Sequence, residues 1–201
     1  MVAEAAEVAR AALDPCAGVP RQARRHAADP VLRIGGLVGR PLALRPADLA
    51  GLRRVAFLGA LSCVQNGNVP ETDWTGIPLA DLVALADPLP EARYVSVCAG
   101  PYAVPAALAD AGGLLVCDRI ADEPLTVEQG APWRLVVPGQ RYYTSVKWVD
   151  RIELAAEPPD NSAERLANAR NRARAVHEGR PWLGIDPLPD ADPEGENAGG
   201  D

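Results

Sequence analysis

Gly130-Ala-Pro-Trp-Arg-Leu-Val-Val-Pro138 decides the fold class, because it sets a turn and a strand side by side. Glycine and proline open it, a run favouring extended backbone occupies 133–137, and Pro138 stops it. The same pattern recurs on both sides, so strands are predicted at 94–98, 114–119 and 147–154, with Ala121-Asp-Glu-Pro124 as a turn between two of them. Upstream, Val31-Leu-Arg-Ile34 and Pro41-Leu-Ala-Leu44 flank a glycine-containing turn, and 53–62 is predicted to be a buried strand. Short helices are expected at 46–51 and at 78–86, the second opened by its proline. Strands outnumber helices and do not alternate with them, which predicts a mixed α+β domain over 31–156.

Outside that domain the composition changes. Residues 1–30 are expected to form a charged, Ala-rich helix over 1–14 and then a basic, turn-rich connector. Residues 157–180 hold an Ala-, Arg- and Glu-rich helix, spanning 161–178 and stopped at Gly179. The last segment, 181–201, is rich in Pro, Gly and carboxylates and is expected to be disordered. Its six carboxylates account for all but one of the seven net negative charges of the 201-residue chain, so the charge says little about a partner of the body. No basic face points to nucleic acid. No run is apolar and long enough to span a bilayer, and 1–14 does not read as a secretory leader, so a cytoplasmic chain with reduced thiols is expected.

The titratable residues narrow the chemistry. His26 and His177 are the only histidines and lie outside the predicted domain core, which disfavours a Ser-His-Asp triad or a histidine-rich zinc site. Cys16, Cys63, Cys98 and Cys117 contain no C-x-x-C pair, so a thiol would act alone. Cys63 is the best placed, on a short loop leading into Gln65-Asn66-Gly67-Asn68, where backbone can approach a ligand closely. Cys98 and Cys117 read as small buried hydrophobes and Cys16 as incidental. Arg134, inside a strand, needs a partner if it points inward; a phosphate would serve, as would Asp118, Asp122 or Glu128. Lys147, between Val146 and Trp148, raises the same question, and two converging cations would make an anion site.

Four blocks in order resemble the molybdopterin-binding domain of the sulfite oxidase family: Cys63; Trp74-x-Gly76-x-x-Leu79 with Asp81-Leu82; Gly130-Ala-Pro-x-Arg-Leu-Val-x-Pro138; and Val146-Lys-Trp-Val149. The resemblance runs from about 31 to 154 and implies a mixed-sheet α+β fold with short helices. It further implies that Cys63 ligates molybdenum, that Arg134, Ser145, Val146 and Lys147 hold the pterin and its phosphate, and that Gln129 contacts the cofactor. Tyr102 falls where such enzymes place a tyrosine on the substrate side. The implied reaction is a two-electron oxygen-atom transfer on a small substrate, with a separate electron-transfer partner. Two departures stand out. Tyr142-Tyr143-Thr144 replaces the family's Gly, aromatic and cation, and no arginine pair follows Cys63.

Two other readings compete with this one. The first is a cofactor-free lyase, cyclase or hydrolase on the same fold, with Cys63 as nucleophile or acid/base assisted by Asp73 or Tyr102. The second is a non-catalytic binding protein that uses the arginine-rich helix at 161–178.

Overall fold

The structure, a computed structural model, describes residues 19, 21–63, 67–138 and 144–177, with backbone only at 60–63, 67–70, 170, 171 and 173–177. The expected helix at 1–14, Cys16, the loop residues Gln65 and Asn66, the tyrosines at 142 and 143, and the acidic tail lie outside the described residues. The chain divides into two units, Met1–Glu164 and Arg165–Asp201.

The first unit carries two sheets and fits the expected α+β class. After helix α1 (Arg21–Ala28) come β1 (Leu32–Gly36), β2 (Leu42–Leu44) and the single turn α2 (Pro46–Leu49). A long hairpin, β3 (Val55–Cys63) and β4 (Gly67–Pro78), leads into α3 (Leu79–Ala84). Next are β5 (Tyr94–Ala99), β6 (Tyr102–Ala107), a 3-10 segment (Leu108–Gly113), β7 (Leu115–Ile120) and β8 (Glu123–Pro124). Last come β9 (Arg134–Val136), β10 (Arg151–Ala155) and α4 (Ser162–His177), which continues into the second unit. One sheet runs β2-β1-β10-β5-β6; the other runs β3-β4-β7-β8, with β9 also on β7.

Alternation sets the first sheet. Leu32 and Ile34 turn inward while Arg33 faces out, and in the parallel β1–β10 pair Ile34 lies beside Ile152. Val95, Val97 and Leu154 complete that buried layer, each side chain worth about 2 kcal/mol of burial. The second sheet packs Trp74, Leu115, Cys117, Ile120, Leu125 and Val136 into one cluster, with Val55 and Phe57 against it. Arg54 reaches the Asp118 carboxylate at 2.8 Å, a half-buried pair whose hydrogen bond raises the guanidinium further above its ordinary range. The start of α4 is capped by Asn161, whose Oδ1 accepts the Glu164 amide at 3.1 Å.

Several sequence expectations are corrected. The connector at 15–30 contains α1: Arg-Gln-Ala-Arg-Arg-His-Ala-Ala is free of β-branched residues, buries Ala23, and is held by His26 Nε2 donating to the Val149 carbonyl at 2.9 Å. The strand expected to be buried, β3, is a sheet edge, and Leu58 is 64% exposed on it. Cys63 ends that strand, its Cα paired with Gly67, instead of sitting on a loop. The strand expected at 147–154 starts only at Arg151, because Trp148 adopts φ +61 and breaks the extension. Strands β4 and β6 were not anticipated.

At Gly76 the backbones of β4 and β7 nearly touch: a Cβ there would lie 2.5 Å from Cys117 Cα. Gly76→Ala should therefore cost about 2 kcal/mol of stability through overpacking, measured as a lower urea midpoint at unchanged slope. Burial pushes the Cys117 thiol from its ordinary 9.0 up to about 12, with Arg134 pulling the other way and Asp118 adding to the rise. The folded state thus holds this proton more tightly than the unfolded chain does. The resulting stability is complete below pH 9 and is lost as pH rises toward 12. Cys117→Ala should flatten the pH dependence of stability in that window, read from denaturation at successive pH values.

Candidate functional site

The site is built on the turn that precedes β9. Thr126 and Gln129 close it reciprocally: the Thr126 amide donates to Gln129 Oε1 at 2.8 Å, and the Gln129 amide donates to Thr126 Oγ1 at 3.3 Å. The Ala131 amide also donates to the Thr126 carbonyl at 2.9 Å. The turn's successive carbonyls then receive donors from one strap of chain, 145–149, and from β9. Trp148 Nε1 donates to the Val127 carbonyl at 2.6 Å, and Lys147 Nζ to the Glu128 carbonyl at 2.6 Å. Arg134 Nη1 reaches the Gln129 carbonyl at 3.1 Å, and the Trp148 amide reaches the Gly130 carbonyl at 3.1 Å. Gly130 sits at φ +115, and a Cβ there would meet Lys147 at 3.1 Å, so the strap lies directly on the turn.

Arg134 is only 6% exposed, and its guanidinium lies 5.1 Å from the centre of the Trp74 ring. The ring face and the Gln129 carbonyl supply the electron density that a buried cation demands. The carboxylate partners weighed from the sequence are used differently. Asp118 takes Arg54, the Asp122 carbonyl takes Arg119, and Glu128 offers its backbone carbonyl to Lys147. Arg134 and Lys147 do converge, on neighbouring carbonyls of a single turn.

Ser145 and Val146 enter the same neighbourhood through the backbone. The Leu135 amide donates to the Val146 carbonyl at 2.8 Å, and the Val149 amide donates to the Trp133 carbonyl at 2.9 Å, so the strap brackets Arg134. Ser145 Oγ is buried and has no hydrogen-bond partner among the described residues, as is true of Trp74 Nε1 beneath Arg134. Gln129 is buried, with its Oε1 already committed within the turn.

Cys63 and Tyr102 lie on other elements. Phe57 is the β3 residue opposite Trp74, and Cys63 is the last residue of that edge strand, six positions further on. Tyr102 begins β6, in the other sheet, after the Gly100-Pro101 turn. That turn is tied to the strap indirectly: Asp150 Oδ2 accepts the Gly100 amide at 2.9 Å, while the Asp150 amide donates to the Cys98 carbonyl at 2.9 Å and its carbonyl accepts the Arg33 amide at 3.0 Å. Asp73, the alternative assistant to Cys63, is exposed to solvent. Cys98 and Cys117 are sealed in the sheets, and burial raises both thiols.

Sequence reasoning picked out Arg134, Lys147, Ser145 and Gln129 but assigned no role to Trp148 or to the ring of Trp74. The one local signal was the position of Trp148 beside Lys147; its left-handed backbone is visible only in the structure.

Similar proteins bear on this arrangement. The chain is 35% identical over 98 residues to a nitrate reductase (NADPH) of Fusarium oxysporum, covering 44% of this chain and 11% of that protein. It is 31% identical over 159 residues to the protein-methionine-sulfoxide reductase catalytic subunit MsrP of Gluconobacter oxydans, covering 68% of this chain and 50% of that one. It therefore spans half or less of these relatives' length. The crystal structure of the sulfane dehydrogenase SoxCD from Paracoccus pantotrophus superposes with a TM-score of 0.62 at 24% identity, over 67% of this chain and 40% of that one, which bears on the fold alone. The family model described as the oxidoreductase molybdopterin binding domain matches residues 17–163, and the chain belongs to that family.

Proposed function

We propose that the chain is a molybdenum-cofactor-dependent oxidoreductase that transfers an oxygen atom, with two electrons, to or from a small substrate. The observation that carries this reading is the buried Ser145 hydroxyl, without a partner among the described residues, on the strap that brackets the cations Arg134 and Lys147. A buried hydroxyl is costly to leave unsatisfied, and hydroxyl, guanidinium and ammonium together form the donor set that an anionic phosphate satisfies. The residues present thus fit a pterin phosphate. Arg134, Lys147, Ser145, the Val146 backbone and the amide nitrogen of Gln129 would hold it.

Cys63 is proposed as the metal ligand. Its thiolate would be a soft donor suited to molybdenum, whereas Cys98 and Cys117 are buried and held protonated. The ligand would offer a metal to Cys63 and an anion to the Arg134 turn. When bound, the molybdenum cofactor supplies the two-electron centre. The protein's share is to orient the anionic end, exclude water around Arg134, and present Tyr102 toward the substrate side. The proposal includes a separate protein as electron partner and, as before, a cytoplasmic location.

The place of Cys63 at the end of the edge strand β3 favours a second reading, a cofactor-free enzyme in which Cys63 acts on substrate as nucleophile or acid/base. Elemental and pterin analysis distinguishes the two. Protein purified from a host able to make the cofactor should carry molybdenum and pterin at close to one per chain. Cys63→Ser should abolish dye-linked reduction of a sulfoxide and lower the molybdenum content while pterin remains. Full turnover by metal-free protein would sink the proposal.

A further inference from the structure

Trp148 has a conformation that its residue type disfavours. It sits at φ +61, where side chains larger than glycine or asparagine are uncommon, and a tryptophan there is an outlier that needs a cause. The cause lies in the pairing of the strap with β9. Leu135 is bonded to Val146, and Trp133 to Val149, so three steps along the strap oppose two along the partner. One residue is extra, so the strap must bulge between these two bonds instead of running on as a regular partner of β9. Trp148 is the left-handed residue of that bulge. Its amide is anchored to the Gly130 carbonyl and its indole N–H to the Val127 carbonyl.

The bulge decides which way its neighbours face. Lys147 immediately precedes the left-handed step, so that step sets how the strap leaves Lys147 against the turn. With the bulge in place, Lys147 reaches the Glu128 carbonyl next to the Gln129 carbonyl that Arg134 uses, and its ammonium lies 5.7 Å from the centre of the Trp148 ring.

We infer that Trp148 is a positioning residue for the anionic end of the cofactor: its indole N–H fixes the left-handed bulge that keeps Lys147 beside Arg134 on the turn. This rests on the cofactor reading above. The indole touches neither substrate nor cofactor; it acts by holding the backbone.

Two substitutions separate backbone control from packing. Trp148→Phe keeps a ring but loses the N–H, so the left-handed conformation is left with a strained residue and no staple. Trp148→Gly removes the whole side chain yet adopts that conformation without steric cost. Holoprotein of each form is dialysed, and pterin release is followed by fluorescence alongside a thermal melt. Phe is expected to release pterin about tenfold faster than the parent, from loss of the indole hydrogen bond that holds the strained backbone. Gly is expected to release it more slowly than Phe, although it forfeits more buried surface. Release that ranks Gly faster than Phe, or that simply follows the melting temperatures, overturns the inference and leaves Trp148 as packing. Parent protein that binds no pterin at all overturns the cofactor reading instead, so the two failures are distinguishable.

Discussion

A guanidinium buried against an indole face is the constraint on which the rest of the site depends. Arg134 cannot be taken out of water without electron density around it, and that requirement fixes three separate parts of the chain. The Trp74 ring must lie beneath it, which sets how β4 faces the cluster. The Gln129 carbonyl must point at it, which closes the turn before β9. The same charge also restrains the Cys117 thiol, pulling its titration down against the larger effect of burial. One cation thereby links a strand partner, a turn and a hydrophobic cluster.

A second layer of the design concerns backbone carbonyls. Turns commonly leave their carbonyls to solvent, but the one at 127–130 receives donors on all four, from Trp148 twice, Lys147 and Arg134. Two of these donors, Lys147 and Arg134, are charged and give stronger bonds than neutral ones would, and together the four tie down a segment otherwise short of regular structure. Both paired segments, 130–138 and 146–149, lie within the part of the chain that the family model matches.

How much of this was legible varied with the range of the forces involved. Alternating patterns such as Leu32-Arg-Ile34 gave β1 away, and the Ala121-Asp-Glu-Pro124 turn was readable from its Asp and Pro; the structure places Ala121 and Asp122 in the left-handed backbone that such turns use. Strand β4 was not readable: Pro70, Glu71 and Asp73 are poor strand formers, and its extension comes from having β3 on one side and β7 on the other. Helix α1 was missed because only Ala23 is buried on it, and its anchor, His26 to Val149, spans 123 positions. At the site, the sequence showed that Arg134 and Lys147 needed partners but not which. Carbonyls and an aromatic face leave no charge pattern to read, and of the carboxylates that did leave one, Asp118 pairs with Arg54. The placement of Cys63 was misjudged for a related reason, since the residues after it read as a loop while the pairing with Gly67 carries the strand to its end.

Asp150 sits where the strap re-enters the first sheet and bonds in three directions, to Arg33, Cys98 and Gly100. Through it the hairpin bearing Tyr102 and the segment bearing Lys147 share a single fulcrum. A displacement of either segment therefore has only a short path of hydrogen and covalent bonds to travel before it meets the other.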